Sequence, residues 1–166
     1  MTDRQAQDEA LLRIAGNIAK LGGWTVTVPE LVVTWSNETA AIHEEPAGFS
    51  PSLDAAFSYY APEYRDRVQQ VFAACVAQGS YFDLELQIIT AKGRRVWTRA
   101  IGEAVHNSAG AITHVQGAFQ DISEQKLAEQ QIQSLGNRLQ ETLETLADAF
   151  FTLDRDWRFT YVNGEA

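Results

Sequence analysis

Three histidines and one cysteine are the side chains here best suited to metal binding or nucleophilic chemistry: His43, His106, His114 and Cys75. Zinc sites draw ligands at short, regular spacings, and these histidines sit on separate predicted elements with no such spacing. The sequence therefore assigns no metal site. Cys75 stands alone, which rules out an internal disulfide and a cysteine cage. It lies in the apolar run VFAACVA, where a buried, inert thiol is expected. His106 falls at a turn and His114 on a strand beside Gln116, so both read as solvated or locally bonded. The same default holds for His43, which follows Ile42 at the end of a short helix. Its alternative is contact with a ligand or a pH-sensitive role. The close carboxylates Glu44-Glu45 and Asp154-Asp156 lie in turns, where solvation accounts for them. No G-x-S-x-G, phosphate-cradling glycine loop or phosphorylatable histidine box is present. An enzyme is not expected from these residues.

The elements that must position these groups follow from periodicity. From about Asp8, the apolar residues Leu11, Leu12, Ile14, Ala15, Ile18 and Leu21 share one helical side, and Gly22-Gly23 end it. In GWTVTVPELVVTWS, Trp24, Val26 and Val28 alternate with Thr25 and Thr27, and Leu31, Val33 and Trp35 repeat the pattern. That is a β-hairpin turning at Pro29-Glu30. NETAAIHEE reads as a short helix opened by Asn37. A long helix runs from about Pro62, which suits a first turn, to Gln78. Three strands joined by tight turns follow: one through Phe82, Leu84, Leu86 and Ile88, then RRVWTRAIGEAV, then AITHVQGAFQDI. They predict an antiparallel meander.

Ser123 to about Ala147 reads as one helix. Ala128, Ile132, Leu135, Leu139 and Leu146 recur at alternating steps of four and three with Thr142 as the weak position, a narrow seam among Gln, Glu, Asn and Arg. Such a seam predicts a partner helix, hence a homodimer. Beyond it, ADAFFTLDRDWRFTYVNGEA repeats the order strand, polar turn, strand, Asn163 that the chain already used up to Asn37. The repeat predicts tandem modules in a longer chain. The strands from Phe150 to Tyr161, without the rest of a sheet, are expected to be disordered or to pair with a neighbour.

The 166 residues suffice for one domain with a hydrophobic core and are marginal for two. A net charge of -9, spread along the chain, argues against nucleic-acid partners and against docking on anionic membrane. No stretch reaches the roughly 20 apolar residues of a membrane span, and the N-terminus does not resemble a secretory signal. A cytoplasmic setting is expected, whether of a whole protein or of the cytoplasmic part of a larger one.

The order helix, hairpin, short helices, long helix and meander resembles the PAS fold. KGRRVWTRAIGEAVHNSAGAITHVQGAFQDIS is similar to the C-terminal half of PAS domains common in bacterial histidine kinases and diguanylate cyclases. It carries the GxxxW strand, the N-x-x-G turn and the closing D-I-S in order. TLDRDWRFTYVN resembles the opening of another PAS domain. The resemblance implies an α+β fold with a five-stranded antiparallel sheet, order 2-1-5-4-3, and helices on one face. It divides the chain into an N-terminal helix (1–22), a sensor domain (23–122), a signalling linker helix (123–147) and the start of a second PAS domain (148–166). It also implies a relay at Asp121, Ile122 and Ser123, where a carboxylate and a hydroxyl can cap the linker helix, and a downstream output domain.

PAS domains of known chemistry hold haem, flavin or small organic ligands between sheet and helices. Flavin photosensors of this fold use an N-C-R-F-L-Q segment and a Gln two positions before the final Asp; here the segment is missing and that position is Phe119. Haem-binding members take an axial histidine from the long helix, and residues 62–78 contain none. Covalent flavin and His-ligated haem are therefore not expected, and the cofactor stays open. The candidate pocket comprises Trp35, His43, Phe72, Leu86, Trp97 and Phe119, with Trp24 packed under the N-terminal helix. Core packing is the competing account of these aromatics. Two functions remain in view, a ligand-sensing regulatory domain and a ligand-free dimerisation and relay module, with a small-molecule enzyme on the same scaffold as a third.

Overall fold

The computed structural model describes residues 14, 16, 18–144 and 151–162. The chain divides into two compact units, Met1–Ser123 and Glu124–Ala166. In the first, β1 (Leu21–Thr27) and β2 (Val33–Trp35) form the first hairpin. Helices α1 (Asn37–Ile42), α2 (Leu53–Ser58) and α3 (Pro62–Gln78) follow. Strands β3 (Phe82–Ile89), β4 (Arg95–His106) and β5 (Ile112–Asp121) complete a five-stranded antiparallel sheet in the order β2-β1-β5-β4-β3. This is the α+β architecture and strand order expected from the sequence.

Period-two alternation decides which side chains the sheet buries. Phe82, Leu86 and Ile88 of β3 face the core together with Val96 and Ala100 of β4 and Val115 and Phe119 of β5. Against them α3 sets Val68, Phe72 and Cys75. Pro62 opens α3, and Gly79 closes it in the left-handed conformation at φ 72°, with its N–H donated to the Cys75 carbonyl.

Two glycines make room for close neighbours, one between layers and one within the sheet. A Cβ on Gly22 would collide with the backbone and hydroxyl of Thr39, so this glycine lets α1 lie directly on β1. A Cβ on Gly102 would collide with the ring of Phe82, its cross-strand partner, whose centre is 6.1 Å from that of Trp24. Two local expectations are corrected. Ser36, not Asn37, caps α1: its Oγ accepts the Thr39 N–H at 3.2 Å, and Asn37 is the first helical residue. Leu31 is outside the hairpin strands, exposed, at φ 57°. Trp24 packs among the core aromatics, and most of the N-terminal helix expected above it lies outside the described residues.

Helix α4 (Ser123–Glu144), all but its first residue in the second unit, has no Pro and only one glycine, Gly136. Leu127, Ile132, Leu135 and Leu139 are all exposed on it; Leu146, the last position of the predicted seam, lies outside the described residues, as does Asn163. Strands β6 (Phe151–Leu153) and β7 (Phe159–Val162) pair with each other. Asp154 organises their turn, its Oδ1 accepting the N–H groups of Asp156 and Arg158 at 2.8 and 2.9 Å.

Candidate functional site

Between the sheet and the helices lies a cavity of about 60 Å³. Trp24 and Val26 of β1 and Trp35 of β2 form one wall. Phe57 of α2 and Phe72 of α3 form another, with Phe119 of β5 on the floor. Of the six predicted pocket residues, four meet there: Trp35, His43, Phe72 and Phe119. The other two are elsewhere, which corrects the expectation for them. Leu86 is sealed in the core against Val68 and Ile88, and Trp97 lies beside Tyr64 at 6.5 Å between ring centres. Sequence reasoning missed Trp24, Tyr60 and Thr39 as lining residues.

His43 is the polar centre of this wall. It terminates α1 and is buried (2% exposed), so of the two expected states, solvated or locally bonded, it takes the second. The imidazole stacks on Trp35 at 4.1 Å and on Phe119 at 4.8 Å, with Tyr59 edge-on at 4.9 Å. Its Nδ1 is 2.8 Å from the Thr39 carbonyl oxygen. A carbonyl can only accept, so Nδ1 carries the hydrogen. Burial dominates the titration and lowers the pKa from 6.5 to about 4, against the opposing pull of the Thr39 carbonyl and the Glu45 carboxylate.

The residues after His43 fasten it to its surroundings. Its own carbonyl accepts the Ala91 N–H at 3.0 Å. The Glu44 carboxylate accepts the Thr90 hydroxyl at 2.5 Å and Arg94 Nε at 3.0 Å, which hold it below the usual carboxylate range. Glu45 accepts the Tyr59 hydroxyl at 2.5 Å; burial first, and then that bond, push the Tyr59 hydroxyl up to about 12. Glu44 and Glu45 thus do more than solvate a turn, since each ties the end of α1 to another element.

The other reactive side chains lie apart. Cys75 is fully buried in the core, and burial, then the Glu103 charge, push its thiol up. His106 ends β4 and is exposed, while His114 Nδ1 pairs with the Thr113 hydroxyl at 3.0 Å. Among the described residues, no cluster of three or more His, Cys, Asp or Glu could hold a metal ion, and no helix is long and apolar enough to cross a membrane.

At the end of the sheet, Asp121 Oδ1 accepts the Ser123 N–H at 2.9 Å, the cap expected of it. Ser123 differs from expectation, because its Oγ accepts the Trp97 N–H at 3.1 Å and so binds β4. The Ile122 N–H in turn is donated to the Trp97 carbonyl at 2.9 Å.

This geometry agrees with the relatives the chain finds. A family model described as the PAS fold matches residues 32–119. The sensor protein FixL of Bradyrhizobium diazoefficiens is 25% identical over 138 residues, 81% of this chain and 26% of that protein. The probable diguanylate cyclase DgcE of Escherichia coli is 23% identical over 152 residues, 92% of this chain and 14% of that protein. The chain spans about a quarter or less of the length of these relatives. Among solved structures, a sensory box histidine kinase/response regulator from Burkholderia thailandensis superposes with a TM-score of 0.59 at 22% identity. It covers 78% of this chain and 98% of that one. The N-terminal domain of a diguanylate cyclase with a PAS/PAC sensor from Marinobacter aquaeolei gives 0.59 at 18% identity, covering 64% and 98%. At such identities the structures speak to fold alone, and the fold they share is the sheet described above. The family match takes in more than half of the chain, from the second strand to the cavity floor at Phe119, and the chain belongs to the PAS fold family.

Proposed function

We propose that this chain is the sensory part of a bacterial signal-transduction protein of the histidine kinase or diguanylate cyclase type, and that its cavity takes a small ligand. The observation that carries this reading is His43: a buried polar side chain set in the wall of an apolar cavity. Apolar cavities with a few convergent polar groups are where small ligands bind. The reading assigns regulation to this chain, with kinase or cyclase chemistry left to other parts of a longer, cytoplasmic or membrane-anchored protein.

The relay is the junction of Asp121, Ile122 and Ser123, where the helix start is bonded both to itself and to β4. Ile132, Leu135 and Leu139 are 73%, 72% and 61% exposed. Their heptad spacing, continued by Leu146, fits a second copy of the same helix in a dimeric coiled coil. The β6-β7 hairpin has the same antiparallel order as β1-β2, which supports its reading as the start of a second PAS domain after a linker at 123–147.

A ligand-free dimerisation and relay module is the second reading, favoured by the small size of the cavity. Seven Trp, Tyr and Phe side chains crowd its walls. A native mass spectrum of the chain, purified without added cofactors, separates the two. A discrete added mass supports the sensor; a bare polypeptide mass at every condition supports the relay.

A further inference from the structure

The two edges of the sheet are β2 and β3, and one segment is fastened to both. It runs from Pro46 through α2 to Ala61 and lines the cavity with Leu53, Ala56, Phe57 and Tyr60. Across residues 46–58 only Pro51 is buried, so little apolar packing holds this stretch down.

Its two ends are fastened unequally. At β3 the attachment is through the backbone: the Ala61 N–H is donated to the Gln87 carbonyl at 2.9 Å and the Ile89 N–H to the Tyr59 carbonyl at 2.7 Å. Arg65 of α3 adds its Nε to the Tyr60 carbonyl at 2.8 Å and its Nη2 to the Ser58 carbonyl at 2.9 Å. At β2, among the described residues, no backbone hydrogen bond joins residues 46–58 to a strand. There the exposed Ser50 accepts the Trp35 N–H on its Oγ at 2.9 Å, and the Phe49 ring tilts against Trp35 at 6.0 Å. The Asn37 Oδ1, also exposed, accepts the Gly48 N–H at 2.9 Å.

Resting on the ligand-sensing reading, we propose that residues 46–58 form a flap over the cavity. It hinges at residues 59–61 and opens between Ser50 and Trp35, and a ligand enters by that opening. Lifting this end gives up side-chain bonds at exposed residues, which water replaces. Lifting the other end would break a pair of backbone bonds and strand the carbonyls that Arg65 satisfies. Trp35 lines the cavity and also receives the weak end, so the opening uncovers the cavity wall directly. A segment with so few buried contacts opens far more often than the domain unfolds.

Amide hydrogen exchange and xenon, a probe of dry apolar cavities, test this on the whole chain. Xenon binding and its rate of entry are read from the Val26 and Val33 methyl resonances. Ser50→Ala is expected to speed exchange of the amides of residues 55–58 and the entry of xenon alike. The factor is about 3- to 10-fold, the worth of one net hydrogen bond, while amides of β3, β4 and β5 keep their rates. Arg65→Gln, at the hinge, is expected to have the smaller effect. A larger effect from Arg65→Gln would put the opening at β3 and overturn the hinge. Equal acceleration of the strand amides would overturn the flap as a separate unit. Methyl shifts with an entry rate indifferent to Ser50→Ala would overturn the entrance and leave the ligand cavity standing. No methyl shift at any xenon pressure would overturn the ligand cavity itself, and the entrance with it.

Discussion

The His43 imidazole and the Trp35 indole lie face to face, 4.1 Å between ring centres and 26° from parallel. Stacking of this closeness keeps the imidazole dry on one side, while Phe119 does so on the other. A ring in that position resists protonation.

The consequence is a stability that depends on pH. Unfolded, His43 takes its proton below about 6.5, whereas folded it holds off until about pH 4. The unfolded state therefore binds more protons across that window, and stability falls as pH falls through it. The partner-held carboxylates Glu44 and Asp83 begin to lose their contributions only below their ordinary values of 4.5 and 3.8. Urea unfolding between pH 7.5 and 4.5 should show a loss of roughly 2–3 kcal/mol that His43→Phe removes. An unchanged slope in the variant would place the titration elsewhere.

Thr90→Val removes a buried hydroxyl that both donates to Glu44 and accepts the Arg94 N–H at 3.1 Å. The shape is kept and two partners are stranded, so the cost should be about 1–3 kcal/mol in chemical denaturation. Thr90→Ser should recover most of it. A neutral Thr90→Val would mean that water replaces the hydroxyl.

Asp121→Ala and Ser123→Ala remove different bonds at the same junction. Each should leave the domain folded and about 1 kcal/mol less stable. In the full-length protein Asp121→Ala should uncouple output from sensing, measured as kinase or cyclase activity against stimulus. Full coupling in that variant would take Asp121 out of the relay.

Lys at both Ile132 and Leu135 places charges in the apolar seam of α4. Sedimentation should show the proposed dimer weakened or lost. An undiminished dimer would move the subunit contact to another surface.

Much of this architecture was legible because alternation and helical spacing are local. Phe82 to Ile88 and Pro62 to Gln78 announce a strand and a helix without help from the rest of the chain. The cavity was harder to read. Val96 and Trp97 are adjacent and both apolar, so alternation alone does not say which faces inward, and Val96 takes the core position. His43 follows a six-residue helix and precedes two carboxylates, the surroundings of an exposed residue. It is buried because Gly22 admits α1 onto the sheet and because Thr90 and Arg94, almost fifty positions away, fasten Glu44. Pairings over that separation have no period to give them away. Ser36 and Asn37 are both good caps one residue apart, and only the bond to Thr39 distinguishes them.

The double attachment of Trp97 bears on where such a domain can be cut and rejoined. Its N–H is satisfied by Ser123 and its carbonyl by Ile122, so the final residues of the sensor's own hydrogen-bond pattern lie two positions past the last strand. A chimera spliced directly after Asp121 would give Trp97 a foreign hydroxyl or none. A splice between Ser123 and Glu124 carries the complete sensor and leaves the incoming helix free to vary.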